Sequence, residues 1–257
     1  MSTARTAMAR FYDPRMYELN IGYTPRFGQV YQDHLGPLAD NGRIMELGCG
    51  TGAVLLPLAR AGATVVGVDG SPDMLGHFAR SLKSEPAEIA DRVSLHEALL
   101  PTLPTVDPVD AVIMPNDLVS HILSDEDLDL LLNNVRSVLT TGGRLALDVS
   151  PYDVARLGAG SRTTHYYSDY PGGKLIDVSE WSSYDAASGI LLCTMRYELL
   201  DTDAEVESAW HRQLRMYPRR LREVTAAVRL AGFELDDVIE SLPGSGSDNI
   251  LVAAHAV

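Results

Sequence analysis

Three glycines at alternate positions, Gly48, Gly50 and Gly52, separate the short apolar run Arg43–Leu47 from the helix-like stretch Ala53–Ala61. Strand, tight turn and helix in that order form the opening unit of a doubly wound α/β sheet. Without Cβ atoms the turn lets a ligand approach the main chain, and its N–H groups are expected to face that ligand. Glycine spacing alone does not name the ligand, because Gly48, Gly50 and Ala53 also satisfy the relaxed dinucleotide pattern G-x-G-x-x-G/A. Two carboxylates narrow the choice. Glu46 stands two positions before the first glycine, where it would repel a pyrophosphate and favour a cationic amine or sulfonium. Asp69 closes the next β-branched run, Thr64–Asp69, where a carboxylate can accept hydrogen bonds from both ribose hydroxyls of an adenosine; its other reading is an aspartate that starts a helix.

After that second strand, Ser71-Pro72-Asp73-Met74 opens a helix, with serine as cap and proline in the first turn. Arg92–His96, Asp110–Met114 and Arg144–Val149 predict three more strands, and Asp125–Leu139 a helix between the last two. Strands alternating with helices imply a parallel sheet with right-handed crossovers. The alternation then stops. Lys174–Asp185, Ile190–Leu200 and Glu205–Tyr217 are long and strand-like, divided by turn signals such as Ala186-Ala187-Ser188-Gly189, so antiparallel pairing is expected. A helix over Arg219–Ala231, closed by Gly232, and two last strands, Phe233–Glu240 and Asn249–Ala256, complete the pattern.

The balance of 21 basic against 35 acidic side chains leaves a net charge of −14, which repels nucleic acid and anionic membrane surfaces. Only Pro218-Arg219-Arg220-Leu221-Arg222 runs against it, and this strip reads as the solvated first turn of a helix. The N-terminal stretch has no apolar core of signal-peptide length, so a cytoplasmic location is expected. Cys49 and Cys193 stand far apart with no partner at metal-ligand spacing, and the histidines form no His-x-x-x-His pair, so no metal site is expected.

Taken together these motifs resemble the class I S-adenosylmethionine-dependent methyltransferases. Glu46–Gly52 matches the family's first motif, and Val65–Asp69 with Ser71–Leu75 matches its second. Asp110–Met114 is similar to its fourth strand, Val138–Arg144 to the turn before its fifth, and Ala231-Gly232-Phe233 to the start of its reversed C-terminal strand pair. An antiparallel sheet after the fifth strand, ending in Arg215-Met216-Tyr217-Pro218, narrows the likeness to bacterial small-molecule methyltransferases, among them enzymes that dimethylate amino sugars of antibiotics.

The resemblance implies a Rossmann-like, mostly parallel seven-stranded sheet with an inserted small antiparallel sheet. One domain would span 1–257, with 1–40 a helical lid and 160–217 the acceptor-side subdomain. It implies S-adenosylmethionine as donor, S-adenosylhomocysteine as product and no metal. The donor set it implies is Tyr23, Glu46, Gly48, Cys49, Gly50, Asp69, Gly70, Met74, Ala98, Leu99 and Pro115, with the backbone of Gly48 and Gly50 on the tail, Asp69 on ribose and Met74 on adenine. Leu99 departs from the family, which usually places there an acid for the adenine amine.

Methyl transfer is an in-line displacement with a neutral thioether leaving, so alignment is the protein's main task. An amine acceptor needs only to lose its proton; an alcohol needs a base. The loop after the fourth strand lies where open α/β sheets bind ligands. There His121 is either the general base or a residue packed at the start of a helix, and Asn116 either holds a polar acceptor group or caps a turn. Tyr12, Tyr152 and Trp181 are further acceptor candidates. His211 and Arg215, which share a strand face with Tyr217, join them if that face is inward; otherwise Arg215 pairs with an acid. The expected activity is N- or O-methylation of a small metabolite, with a homodimer allowed by the long inserted strands. The other readings are a donor-binding protein with a non-methylating role and a nicotinamide-dependent dehydrogenase.

Overall fold

The computed structural model describes residues 13, 14, 17, 25–157, 162–240 and 248–257. It divides into two compact units, Tyr23–Pro151 with Arg219–Val257, and Met1–Gly22 with Tyr152–Pro218. The limits expected from the resemblance, 1–40 and 160–217, differ from these.

In the larger unit, helix α1 (Pro25–Leu35) precedes strand β1 (Arg43–Leu47), α2 (Leu55–Ala61), β2 (Thr64–Asp69), α3 (Pro72–Leu82), β3 (Val93–Glu97) and β4 (Val109–Met114). Then come α4 (Asp125–Val138) and β5 (Leu139–Val149). The smaller unit's sheet is formed by β6 (Arg162–Tyr170), β7 (Lys174–Asp185), β8 (Ile190–Leu200) and β9 (Val206–Met216). The chain returns to the larger unit with α5 (Leu221–Leu230), β10 (Phe233–Ile239) and β11 (Ile250–Ala256).

The larger sheet has seven strands in the order β10-β11-β5-β4-β1-β2-β3. β11 runs antiparallel to both its neighbours, and the other pairings are parallel. Its central strands are apolar on both faces, as a sheet covered on both sides requires. Ile44, Val65, Ala111 and Ile113 point to the side of Leu58 in α2 and Tyr31 and Leu35 in α1. Met45, Leu47, Val66, Val68, Val112 and Met114 point to the side of Leu128 and Leu131 in α4 and Val224 and Val228 in α5. Each Val, Leu, Ile or Met side chain among them, fully buried, contributes roughly 1.5–3 kcal/mol. Helix starts follow the local chemistry: Ser71 caps α3 by accepting the Met74 N–H at 3.4 Å, with Pro72 in first place, and Ser124 caps α4 by accepting the Asp127 N–H at 3.1 Å.

The smaller sheet is antiparallel throughout, in the order β6-β7-β8-β9. One strand, β6, was not foreseen. Ile176, Val178 and Tyr197 form its apolar cluster, and the Tyr197 ring stacks on Trp210 at 5.5 Å.

Candidate functional site

β1 and β2 end side by side, with Leu47 opposite Val68, and this pairing brings the glycine turn against Asp69. The turn is drawn onto β2 rather than left open. Gly48 and Cys49 both donate N–H to the Val68 carbonyl, at 2.7 and 3.1 Å, and Gly50 donates to Asp69 Oδ2 at 2.8 Å. This corrects the expectation that the N–H groups of Gly48 and Gly50 face a ligand: the neighbouring strand consumes them.

The glycines are needed for two other reasons. All three have positive φ, +70° at Gly48, +54° at Gly50 and +86° at Gly52, a region other residues enter at a cost of about 1–2 kcal/mol. Their Cβ space is also filled by the protein, since a Cβ would lie 2.7 Å from a Leu118 methyl at Gly48 and 3.2 Å from Met74 Cε at Gly50. At Gly52 it would meet the Phe78 ring.

Asp69 accepts a second N–H, from Ser71 at 2.8 Å, so both its oxygens stitch the two turns together. Its helix-starting role and its ligand role are therefore compatible, because each carboxylate oxygen keeps a further lone pair. Burial raises its pKa against the lowering pull of the Ser71, Gly50 and Gly70 N–H groups. Glu46 is 3% exposed, and its Oε2 has no hydrogen-bond partner among the described residues. Burial, and then the charge of Asp69, push its pKa well above the usual carboxylate range. A cation placed beside it would stabilise its ionised form.

Met74 is buried against Gly50, and Ala98 donates its N–H to the Asp69 carbonyl at 3.0 Å. Leu99 follows at once and is half-buried; Gly70 links Asp69 to Ser71. Burial, and then Asp69 and Glu46, push the Cys49 thiol up, and burial with Glu180 pushes Cys193 up to about 12, so neither is a nucleophile at neutral pH.

A family model described as "Methyltransferase domain" matches residues 44–143, which span this whole constellation. Residues 44–143 form a class I S-adenosylmethionine-dependent methyltransferase domain. Among curated relatives, the glycine N-methyltransferase of Rattus norvegicus is 33% identical over 154 residues, 54% of this chain and 52% of that protein, so the chain spans about half the length of this relative. Among solved structures, the CcbJ methyltransferase from Streptomyces caelestis superposes with a TM-score of 0.79 at 17% identity, covering 98% of this chain and 99% of the other. CalS10, an amino pentose methyltransferase from Micromonospora echinaspora involved in calicheamicin biosynthesis, does so with a TM-score of 0.70 at 18% identity, covering 96% and 94%. At these identities the two structures bear on the fold.

The methyltransferase domain continues past β4 into Pro115, which is buried, and Asn116, whose side chain is exposed. Asn116 and Asp117 both adopt positive φ, 62° and 54°. What holds them is Asp148, a fully buried carboxylate near the end of β5 that the sequence reading missed. It accepts the N–H of Asn116 at 2.7 Å and of Asp117 at 2.9 Å, together with the Tyr31 hydroxyl at 2.5 Å and Asn249 Nδ2 at 2.6 Å. Its one visible sign was a carboxylate inside the apolar run Leu145–Val149.

His121 ends the short 3-10 turn Leu118–His121, where burial lowers its pKa from the ordinary 6.5 to about 4. It is therefore neutral at neutral pH and a weak base. The folded state resists protonation there while the unfolded state does not, so its contribution to stability is full above about pH 6.5 and is lost as pH falls towards 4. Urea unfolding at pH 7.5 and 5 is expected to show a smaller acid loss for His121→Gln than for the natural chain.

The basic strip Pro218–Arg222 also needs correction. Arg219 is not solvated but 2% exposed. Its guanidinium donates to the carbonyls of Val119 at 3.4 Å, Ile122 at 2.9 Å and Ser124 at 2.8 Å and pairs with Asp125 at 2.5 Å. A buried arginine is tolerated because its donors are so fully engaged.

In the smaller unit the strand register decides the face. Ser179 pairs with Arg196 and Arg196 with His211, while Ser183 pairs with Leu192 and Leu192 with Arg215, so Trp181, His211 and Arg215 share one face. That face is exposed, and the apolar cluster lies on the other, so the condition set for His211 and Arg215 is not met. The covered face carries Glu180, whose pKa burial raises, and Arg212, whose Nε is buried with no partner among the described residues. Tyr152 is half-buried. Tyr12 and Tyr23 lie outside the described residues. Among the described residues no group of three or more His, Cys, Asp or Glu could hold a metal ion, and no helix is long and apolar enough to cross a membrane.

Proposed function

We propose that the chain transfers the methyl group of S-adenosylmethionine to a nitrogen or oxygen of a small metabolite of secondary metabolism, with an amine as the better match. The observation that carries the donor side is the buried Glu46 oxygen with no hydrogen-bond partner among the described residues, close enough to Asp69 for the two carboxylates to repel. A sulfonium or ammonium relieves that repulsion, whereas a diphosphate would add to it, which weighs against a dinucleotide. Asp69 would take the ribose hydroxyls, Met74 and Leu99 the adenine, and Glu46 the cationic tail.

When bound, the donor supplies an activated methyl whose departure leaves a neutral thioether. The protein's part is to hold the acceptor lone pair in line and to let its proton leave for water. His121, neutral and weakly basic at about 4, suits an amine that sheds its own proton and is poorly suited to ionising an alcohol. The relatives named for glycine and for an amino pentose act on amine-bearing small molecules by name, which supports the same choice. Asn116 would hold a polar group of the acceptor. Incubation with candidate amines should give a product heavier by one methyl together with an equal amount of S-adenosylhomocysteine. Donor binding without any such product across a broad amine and alcohol panel would favour the non-methylating alternative.

The raised pKa of Glu46 gives the donor side a pH signature. In the free protein Glu46 keeps its proton above the ordinary carboxylate range, so this group costs stability as pH rises through that interval. A bound cation lowers the pKa and releases the proton. Affinity for S-adenosylhomocysteine, which keeps the ammonium, should therefore rise with pH until the free protein is itself ionised. Calorimetry in buffers of different ionisation enthalpy should detect the released proton, and Glu46→Gln should remove both the release and the pH slope.

A further inference from the structure

The segment from Asn116 to Asp125 leaves β4 with little regular structure beyond one 3-10 turn, yet it is tied down at both ends by opposite charges. At its start the Asp148 carboxylate accepts two successive main-chain N–H groups, those of Asn116 and Asp117. At its end the Arg219 guanidinium donates to three main-chain carbonyls, those of Val119, Ile122 and Ser124. An anion takes the donors and a cation takes the acceptors, so both clamps act on the backbone and not on the side chains that would meet a ligand. The first clamp fixes two consecutive residues, Asn116 and Asp117, at positive φ, a region that Asn and Asp tolerate better than other side chains but that still needs holding. Asp148 is itself fixed by the Tyr31 hydroxyl and Asn249 Nδ2, and Arg219 by Asp125, so neither can turn away without losing further bonds.

Between the clamps lies the contact that matters for the donor. Leu118 fills the space a Cβ at Gly48 would occupy, with its methyl 2.7 Å from that point, so the segment braces the glycine turn directly. From this geometry we infer that Asp148 and Arg219 are positioning residues for donor binding: they hold segment 116–125 in shape, and through Leu118 they keep the turn at Gly48 preformed before the donor arrives. The inference rests on the donor site proposed above. Preformed sites bind more tightly because less ordering remains to be done on binding.

The test uses the full chain and S-adenosylhomocysteine as the probe. Asp148→Asn puts an amide N–H₂ against the Asp117 or Asn116 N–H, and Arg219→Met removes the carbonyl donors while keeping an apolar stem. Each is expected to weaken binding on the order of tenfold by calorimetry. The double variant should lose clearly less than the product of the two, because either break already frees the same segment. Arg219→Lys, which can still reach part of the carbonyl set, should recover part of the affinity. Amide exchange in the free variants should speed up at 116–125 and at the Gly48–Gly52 turn while the strands of the larger sheet stay protected. Affinity within twofold of the natural chain in both single variants, or losses that multiply, or exchange that rises evenly over the whole unit, would overturn it. If either variant does not fold, Tyr31→Phe and Leu118→Ala carry the same test, with a smaller loss expected for the first. Failure of the natural chain to bind the probe would instead overturn the donor site.

Discussion

Asp69→Ala is expected to abolish measurable binding of S-adenosylhomocysteine, a loss of about a hundredfold or more, while leaving the chain folded. Two independent tasks fall on this one carboxylate. It ties the Gly50 N–H of the first turn to the Ser71 N–H of the second, and it offers its remaining lone pairs to the ribose. Hydrogen bonds to a charged group contribute roughly 1.5–3 kcal/mol each, so two ribose bonds amount to about 3–6 kcal/mol, or roughly 10² to 10⁴ in affinity. The folding side is smaller, because burial penalises the charge and its N–H partners only partly offset that penalty, as its raised pKa records. Asp69→Asn should be intermediate, since it keeps one acceptor oxygen but sets an amide N–H₂ against either Gly50 or Ser71. Calorimetry on both variants, beside urea unfolding, separates the two tasks. A large drop in stability with affinity retained would make Asp69 a helix-starting residue and no ligand.

What the sequence made legible here was local. The glycine turn, the Ser71-Pro72 helix start and the alternation of strands and helices each follow from a few neighbouring residues, and all are present in the larger sheet. The fate of the turn's N–H groups was not local, since their acceptors, the Val68 carbonyl and Asp69, lie on another strand about 20 residues on. β6 escaped notice because Arg162–Tyr170 is mostly polar and lacks an apolar alternation; pairing with β7 makes it an edge strand, where such composition is usual. Arg219 sat in a basic strip of the kind normally solvated, and the carbonyls that bury it stand 95 to 100 residues earlier. Period two groups His211 with Arg215 within one strand, but only the register joins Trp181 to them across strands, and periodicity carries no sign of which face is covered.

Gly52→Ala is the substitution expected to damage the fold most, lowering stability by roughly 2–5 kcal/mol, or a melting temperature lower by about 10 °C, and removing donor binding with it. Two causes add. At φ +86° any side chain is strained, for about 1–2 kcal/mol. The added methyl would also lie within 2.5 Å of ring carbons of Phe78, a side chain with no exposed surface in the core beside α2 and α3. That ring cannot swing aside, because close-packed interiors leave it nowhere to go, and forcing it costs typically 1–3 kcal/mol. The two causes can be told apart by shrinking the neighbour. In a Phe78→Leu background, which by itself loses stability through the cavity it leaves, adding Gly52→Ala should cost only the strain, so the pair should be coupled by about 1–3 kcal/mol in a double-mutant cycle. Thermal and urea unfolding of the four proteins would measure it. Strict additivity would mean that the third glycine is required for its backbone angle alone, and that the turn, not the ring beneath it, fixes the height at which the donor loop meets its ligand.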